Sequence, residues 1–150
     1  MFHWFSKHGV YIKLFVYYQG VTMIKKVLFI NKSNPASIIP EILNGAGYEI
    51  TEALDAGAGL CRLEAQPHDM VILMENAAVE SWAYCAQIRH RTASPFIVIS
   101  PGASAESCVK AIDAGADFFM RKPFGPMELL ARINALFQRI PSPQPLPLVS

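Results

Sequence analysis

The alternation of apolar and polar positions becomes regular at Ile24. KKVLFI, HDMVILM and PFIVIS are short apolar runs with β-branched residues, the pattern of strands buried on both faces. YEITEA and DFFM read as two shorter strands. Helical stretches fall between them. SIIPEIL is preceded by Asn34-Pro35, an N-cap with proline at the first helical position, and is closed by Gly45 and Gly47. Pro40 inside it predicts a kink or a late start. A small-residue helix is predicted from about Leu54 to Ala65, weakened by Gly57 and Gly59. Glu80–Arg91 places Trp82, Cys85, Ala86 and Ile88 on one side. Ser104 caps a helix with Cys108, Val109 and Ile112 inward and Gly115 at its end. Gly125-Pro126 opens the last helix, whose buried stripe is Leu129, Ile133, Leu136 and Phe137.

Five strands alternating with five helices over short connections predict an α/β domain, a parallel sheet covered on both faces. In such sheets the working site lies at the carboxyl ends of the strands. The residues there are Asn31, Lys32, Met74, Glu75, Ser100 and Lys122. The domain is expected to span residues 23–139. Residues 140–150, with four prolines, read as an extended tail or linker.

A chain of 150 residues with 52% hydrophobic content has enough apolar surface for one core. A net charge of +1 provides no global attraction to nucleic acid, membrane or acidic ligands. Neither a basic stripe nor a helix-turn-helix pattern is present, so no nucleic-acid binding is expected of this chain. Apolar runs fall short of the roughly 20 residues of a membrane span. Residues 1–22 carry Lys7, Lys13 and seven of the sixteen aromatics. They lack a signal-peptide cleavage pattern. Their role stays open among a flexible extension, an arm that packs on the domain or a partner, and an interfacial anchor. Cys61, Cys85 and Cys108 are far apart in helical stretches and read as buried thiols of a reducing cytosol, not as a metal site. His3, His8, His68 and His90 show no ligand spacing and read as surface residues.

Gly115-Ala116-Asp117, Lys122-Pro123-Phe124 and Glu128-Leu129-x-Ala131-Arg132, with weaker Gly47-Tyr48-Glu49 and Ile99-Ser100, occur in order. From about Lys25 to Arg139 the chain resembles a bacterial response-regulator receiver domain, of the type that precedes a winged-helix DNA-binding domain. The resemblance implies a flavodoxin-like (βα)5 fold. It also implies a pocket in which an acidic pair and a phospho-accepting Asp hold Mg²⁺, a hard cation that prefers oxygen ligands. A lysine and a hydroxyl complete the pocket.

Carried onto this sequence, the acidic pair falls on Asn31 and Lys32 and the acceptor on Met74. The hydroxyl falls on Ser100, the lysine on Lys122, and the switch aromatic on Phe119. Met74 has no nucleophilic oxygen, and Lys32 puts a cation where the family has a metal ligand. The loop ENAAVESW is about one residue short of the usual receiver loop. The pocket therefore reads as degenerate: a pseudo-receiver, not an enzyme, with neither cofactor nor metal expected. Glu75 enters the acceptor position only after a one-residue slip; the favoured reading has it in a salt bridge to Lys122 or Lys32. Family resemblance also implies a cis Lys122–Pro123 bond.

The expected function is a phosphorylation-independent, cytoplasmic regulatory domain that pairs with itself or with a regulatory protein. Lys110, Glu128 and Arg132 match family pairing residues on the face made by the fourth helix, fifth strand and fifth helix. Phe118 replaces an acidic partner there. The rival reading is a small-molecule sensor, in which an apolar or anionic ligand enters the vacated pocket beside Met74, ringed by aromatics and charged by Lys32 and Lys122.

Overall fold

The computed structural model describes residues 24–32, 37–75, 82–101 and 104–139. Strands β1 (Lys26–Asn31), β2 (Glu49–Ala53), β3 (Met70–Met74), β4 (Phe96–Pro101) and β5 (Phe118–Lys122) alternate with five helices. These are α1 (Ile39–Gly45), α2 (Ala56–Ala65), α3 (Trp82–Arg91), α4 (Ala105–Asp113) and α5 (Pro126–Arg139). All pairings are parallel, in the order β2-β1-β3-β4-β5. This is the parallel sheet that the alternation predicts, in the flavodoxin-like order that the resemblance implies.

The three longest apolar runs form the centre. β3 is buried throughout, and β1 and β4 nearly so. Residues alternate between the two faces. Leu28, Ile30, Val71, Leu73 and Val98 pack under α2, α3 and α4. Val27, Phe29, Ile72, Met74 and Ile99 pack under α1 and α5. At about 1.5–3 kcal/mol for each large side chain fully buried, these two layers dominate the stabilisation.

Local chemistry explains the element ends. α1 begins at Ile39, so Pro40 sits in its first turn, where a missing N–H costs nothing; the late start is realised. α2 begins two residues later than expected. The Asp55 carboxylate accepts from the Ala58 amide at 2.8 Å, leaving Leu54 outside the helix and exposed. Gly59 has a packing reason: a Cβ there would collide with Ile30 Cδ1, so glycine lets α2 lie directly on β1. Ser104 caps α4 by accepting from Ser107 N at 3.2 Å.

The Gly115-Ala116-Asp117 motif is structural. Gly115 adopts φ 124°, and its carbonyl accepts from Arg89 Nε at 2.9 Å. Asp117 takes Arg89 Nη2 at 2.6 Å and the Phe96 amide at 2.8 Å, tying α3 to the starts of β4 and β5.

Several inward assignments are corrected. On α4 only Ala111 is buried; Cys108 is intermediate, and Val109 and Ile112 are 57% and 42% exposed. On α3, Cys85 and Ile88 are buried but Ala86 is exposed. Phe137 on α5 is only partly buried. Cys61 is exposed, not a buried thiol. His68 is buried, not a surface residue; it sits in the loop that leads into β3, where Ser94 Oγ donates to its carbonyl at 2.6 Å. The Asn34-Pro35 cap, most of the ENAAVESW loop, residues 1–22 and the tail lie outside the described residues, as do His3 and His8.

Candidate functional site at the strand carboxyl ends

β1 and β3 are the neighbours across which the strand order reverses, so their carboxyl ends open the crevice of a doubly wound sheet. Asn31 pairs in register with Met74, and Met74 with Ile99. The Lys32 amide donates to the Met74 carbonyl at 3.2 Å, and the Glu75 amide to the Ile99 carbonyl at 2.7 Å. The ladder is continuous to the end of β3, which leaves Met74 and Glu75 pointing to opposite faces.

On the α2–α4 face, Lys32 Nζ lies 2.8 Å from Glu75 Oε1 and 3.3 Å from Oε2. The ammonium spans both carboxylate oxygens. Glu75 is 0% exposed and Lys32 13% exposed, so this pair is almost wholly withdrawn from water. The salt bridge anticipated for Glu75 is thus made to Lys32, and it is buried. Lys32 Nζ also stands 5.0 Å above the Tyr84 ring, a cation–π contact. Cys85 completes the surroundings. Burial, reinforced by the neighbouring Glu75 carboxylate and opposed by Lys32, pushes its thiol up to about 12. It is a packed apolar group, not a nucleophile.

On the α1–α5 face, Met74 is fully buried at its strand position yet borders a cleft of about 350 Å³. Ile39, Ile42, Phe124 and Lys122 line the same space. Lys122 lies at the end of β5, followed by a cis Lys122–Pro123 bond. Ser100 is buried at the end of β4 and pairs in register with Arg121. Phe119 is buried in the α2–α4 layer with Ala111.

The expected site residues are therefore split by the sheet. Lys32 and Glu75 belong to one side, Met74 and Lys122 to the other, so Lys32 does not supply charge to the cleft. The ring of aromatics is also corrected: Phe124 is the one aromatic among the described lining residues. Tyr84 and Cys85 were missed as neighbours of the charged pair; the helical spacing of Cys85 was the available signal.

This donor set does not suit Mg²⁺. Asn31 brings no charge, Lys32 is itself a cation, Met74 offers soft sulfur, and Glu75 is engaged by Lys32. Among the described residues no cluster of three His, Cys, Asp or Glu side chains can hold a metal.

At the sheet edge, β5 lies between α4 and α5. Phe118 is half-buried against the α5 layer, with the Arg132 guanidinium 4.8 Å above its ring. Lys110 pairs with Glu106 at 3.1 Å within α4, and Glu128 is exposed in the first turn of α5. Both cations among the pairing candidates thus have partners inside their own chain. No helix among the described residues is long and apolar enough to cross a membrane.

Comparison with known proteins agrees with this architecture. Response regulator ArlR of Staphylococcus epidermidis is 34% identical over 112 residues, covering 74% of this chain and 51% of that protein. Response regulator ArlR of Staphylococcus saprophyticus is 30% identical over 120 residues, covering 79% and 54%. The chain spans about half the length of these curated relatives.

Two solved structures share the fold at lower identity. A two-component response regulator from Clostridium difficile is 22% identical with TM-score 0.72, covering 79% of this chain and 99% of that one. The receiver domain of Francisella response regulator 1452 is 24% identical with TM-score 0.68, covering 77% and 98%. The family description "Response regulator receiver domain" matches residues 31–134. With that match over more than half its length, the chain belongs to the response regulator receiver domain family.

Proposed function

We propose that this receiver domain works without phosphoryl transfer, as a degenerate pseudo-receiver in signal transduction or transcriptional regulation. It is not an enzyme on this reading, and it acts in the cytoplasm through contact with a second copy or a regulatory protein. The observation that carries the reading is the Lys32–Glu75 pair. An ammonium stands at a position where the resemblance implies a metal ligand, and its charge is balanced internally. Met74, at the implied acceptor position, has no oxygen to form an acyl phosphate. Together these substitute a fixed ion pair for a reversible one between metal, phosphoryl group and protein.

The surface that would transmit the signal is the α4–β5–α5 edge. Val109 and Ile112 expose apolar area on α4, and Phe118 is half-covered beside Arg132. The ionic pairing read from Lys110, Glu128 and Arg132 would be weakened by the internal partners of Lys110 and Arg132, so apolar contact carries more of the association.

Incubation with acetyl phosphate and Mg²⁺ followed by intact-mass measurement tests the reading. No phosphoryl adduct is expected; a stable adduct overturns it.

A further inference from the structure

We propose that the cleft between α1 and the β5–α5 turn binds an amphipathic monocarboxylate, with Lys122 holding the carboxylate and Ile38, Ile42 and Phe124 flanking the apolar body over Met74 at the base. This goes beyond phosphate-independent contact signalling but rests on one part of that reading, that Met74 has removed the phosphoryl acceptor.

The walls are apolar: Ile38, Ile39, Ile42, Met74 and Phe124 surround the space. Ile38 is 59% exposed at the rim, so the apolar lining continues to the surface. At about 350 Å³ the cleft lies near the lower end of the roughly 300–1,000 Å³ typical of small-molecule sites, room for a medium-chain or single-ring acid.

Charge selects the head group. Lys122 is the one charged side chain among the described lining residues, and no described carboxylate pairs with it. The other lysine near the strand ends, Lys32, is held by Glu75 on the opposite face of the sheet. A single ammonium above apolar walls balances one negative charge. It suits a carboxylate better than a phosphoryl dianion, which calls for several donors or a metal. An uncharged ligand would leave the ammonium without an anionic partner, so selectivity should favour the acid over the alcohol of equal chain length.

The test uses the full chain labelled with ¹³C at methionine methyl groups, the Met74 signal being assigned by Met74→Leu. Decanoate, decanol and inorganic phosphate are titrated separately. Decanoate is expected to shift the Met74 methyl saturably, and decanol to bind at least about tenfold more weakly, the size of a charge-assisted hydrogen bond. Lys122→Met should weaken decanoate by about tenfold or more. Ile38→Asp, at the exposed N-cap position of α1 where aspartate is a favoured residue, should weaken it by a similar factor through repulsion. Equal affinity for decanol, an equal response to phosphate alone, or no saturable shift with decanoate would each overturn the proposal. Phosphoryl transfer is read separately by mass: an adduct refutes the contact-signalling reading, whereas absent decanoate binding without an adduct refutes only the ligand.

Discussion

Lys32→Met removes the ammonium from the buried pair while keeping most of the stem volume. Glu75 is 0% exposed and its carboxylate lies 2.8 Å from Lys32 Nζ, so the change leaves a negative charge in a dry site without that counter-ion. Removing one member of a buried pair costs roughly 3–5 kcal/mol, far more than the 0–1 kcal/mol of a surface bridge. The lost contact with the Tyr84 ring adds up to about 1 kcal/mol. For a domain of this size the loss corresponds to a Tm lower by about 10 °C or more. The reverse variant, Glu75→Gln, should cost less, because Lys32 is 13% exposed and its ammonium can turn towards water. Lys32→Met combined with Glu75→Leu removes both charges and should recover most of the loss, since apolar replacement of a whole buried pair is often neutral or stabilising.

Urea unfolding of the wild type, Lys32→Met, Glu75→Leu and the variant carrying both changes closes a double-mutant cycle. A coupling energy above about 2 kcal/mol is expected, well beyond what an exposed pair provides. A Lys32→Met variant that loses less than about 1 kcal/mol would refute the reasoning, because the buried carboxylate would then be compensated without Lys32. A double variant as unstable as Lys32→Met would refute it differently: the loss would then lie in packing, not in an unbalanced charge.

Three further outcomes are expected. Gly59→Ala gains up to about 1 kcal/mol of helix propensity but drives a Cβ into Ile30, an overpacking cost of about 1–3 kcal/mol, so it should destabilise in urea titrations, whereas Gly45→Ala, with open space around it, should not. Burial lowers the His68 pKa, and both ring nitrogens lack hydrogen-bond partners among the described residues; the unfolded chain therefore binds the proton more readily, and stability should fall as pH drops below about 6.5, with a shallower fall between about pH 7.5 and about pH 5.5 in His68→Leu. In sedimentation the chain is expected to dimerise without a phosphodonor and to weaken on Phe118→Asp, which would put a carboxylate on the α4–β5–α5 edge; a wild-type monomer at high micromolar concentration would refute pairing.

The sheet was legible because strands buried on both faces leave an unbroken apolar run, and VLFI, MVILM and FIVIS admit few other readings. α4 was not legible in phase. Its sheet-facing residue is Ala111, while the larger Val109 and Ile112 face solvent, so hydrophobicity points the helix outward. His68 was misread because burial of a single loop residue depends on what covers it, and no periodicity records that; Cys61 lies mid-helix, off the buried stripe of Ala56, Gly59, Leu60 and Leu63. Lys32 and Glu75 were each visible as strand-end residues, but they are 43 positions apart, and local pattern cannot choose between Lys32 and Lys122 as the partner. Register decides it.

That register has a functional consequence. Successive residues leaving a strand point to opposite faces, so a site built from consecutive positions is divided by the sheet. After β1 and β3, the Lys32 and Glu75 side chains share the α2–α4 face, and Met74 keeps the α1–α5 face beside Lys122. The same few substitutions therefore do two separate things. One side is closed by a buried ion pair that needs no ligand. The other retains an apolar hollow and a lysine with no described carboxylate partner. On the proposed reading, the open cleft and its cation are the part of the pocket on which a ligand acts, while the Lys32–Glu75 pair holds the other side.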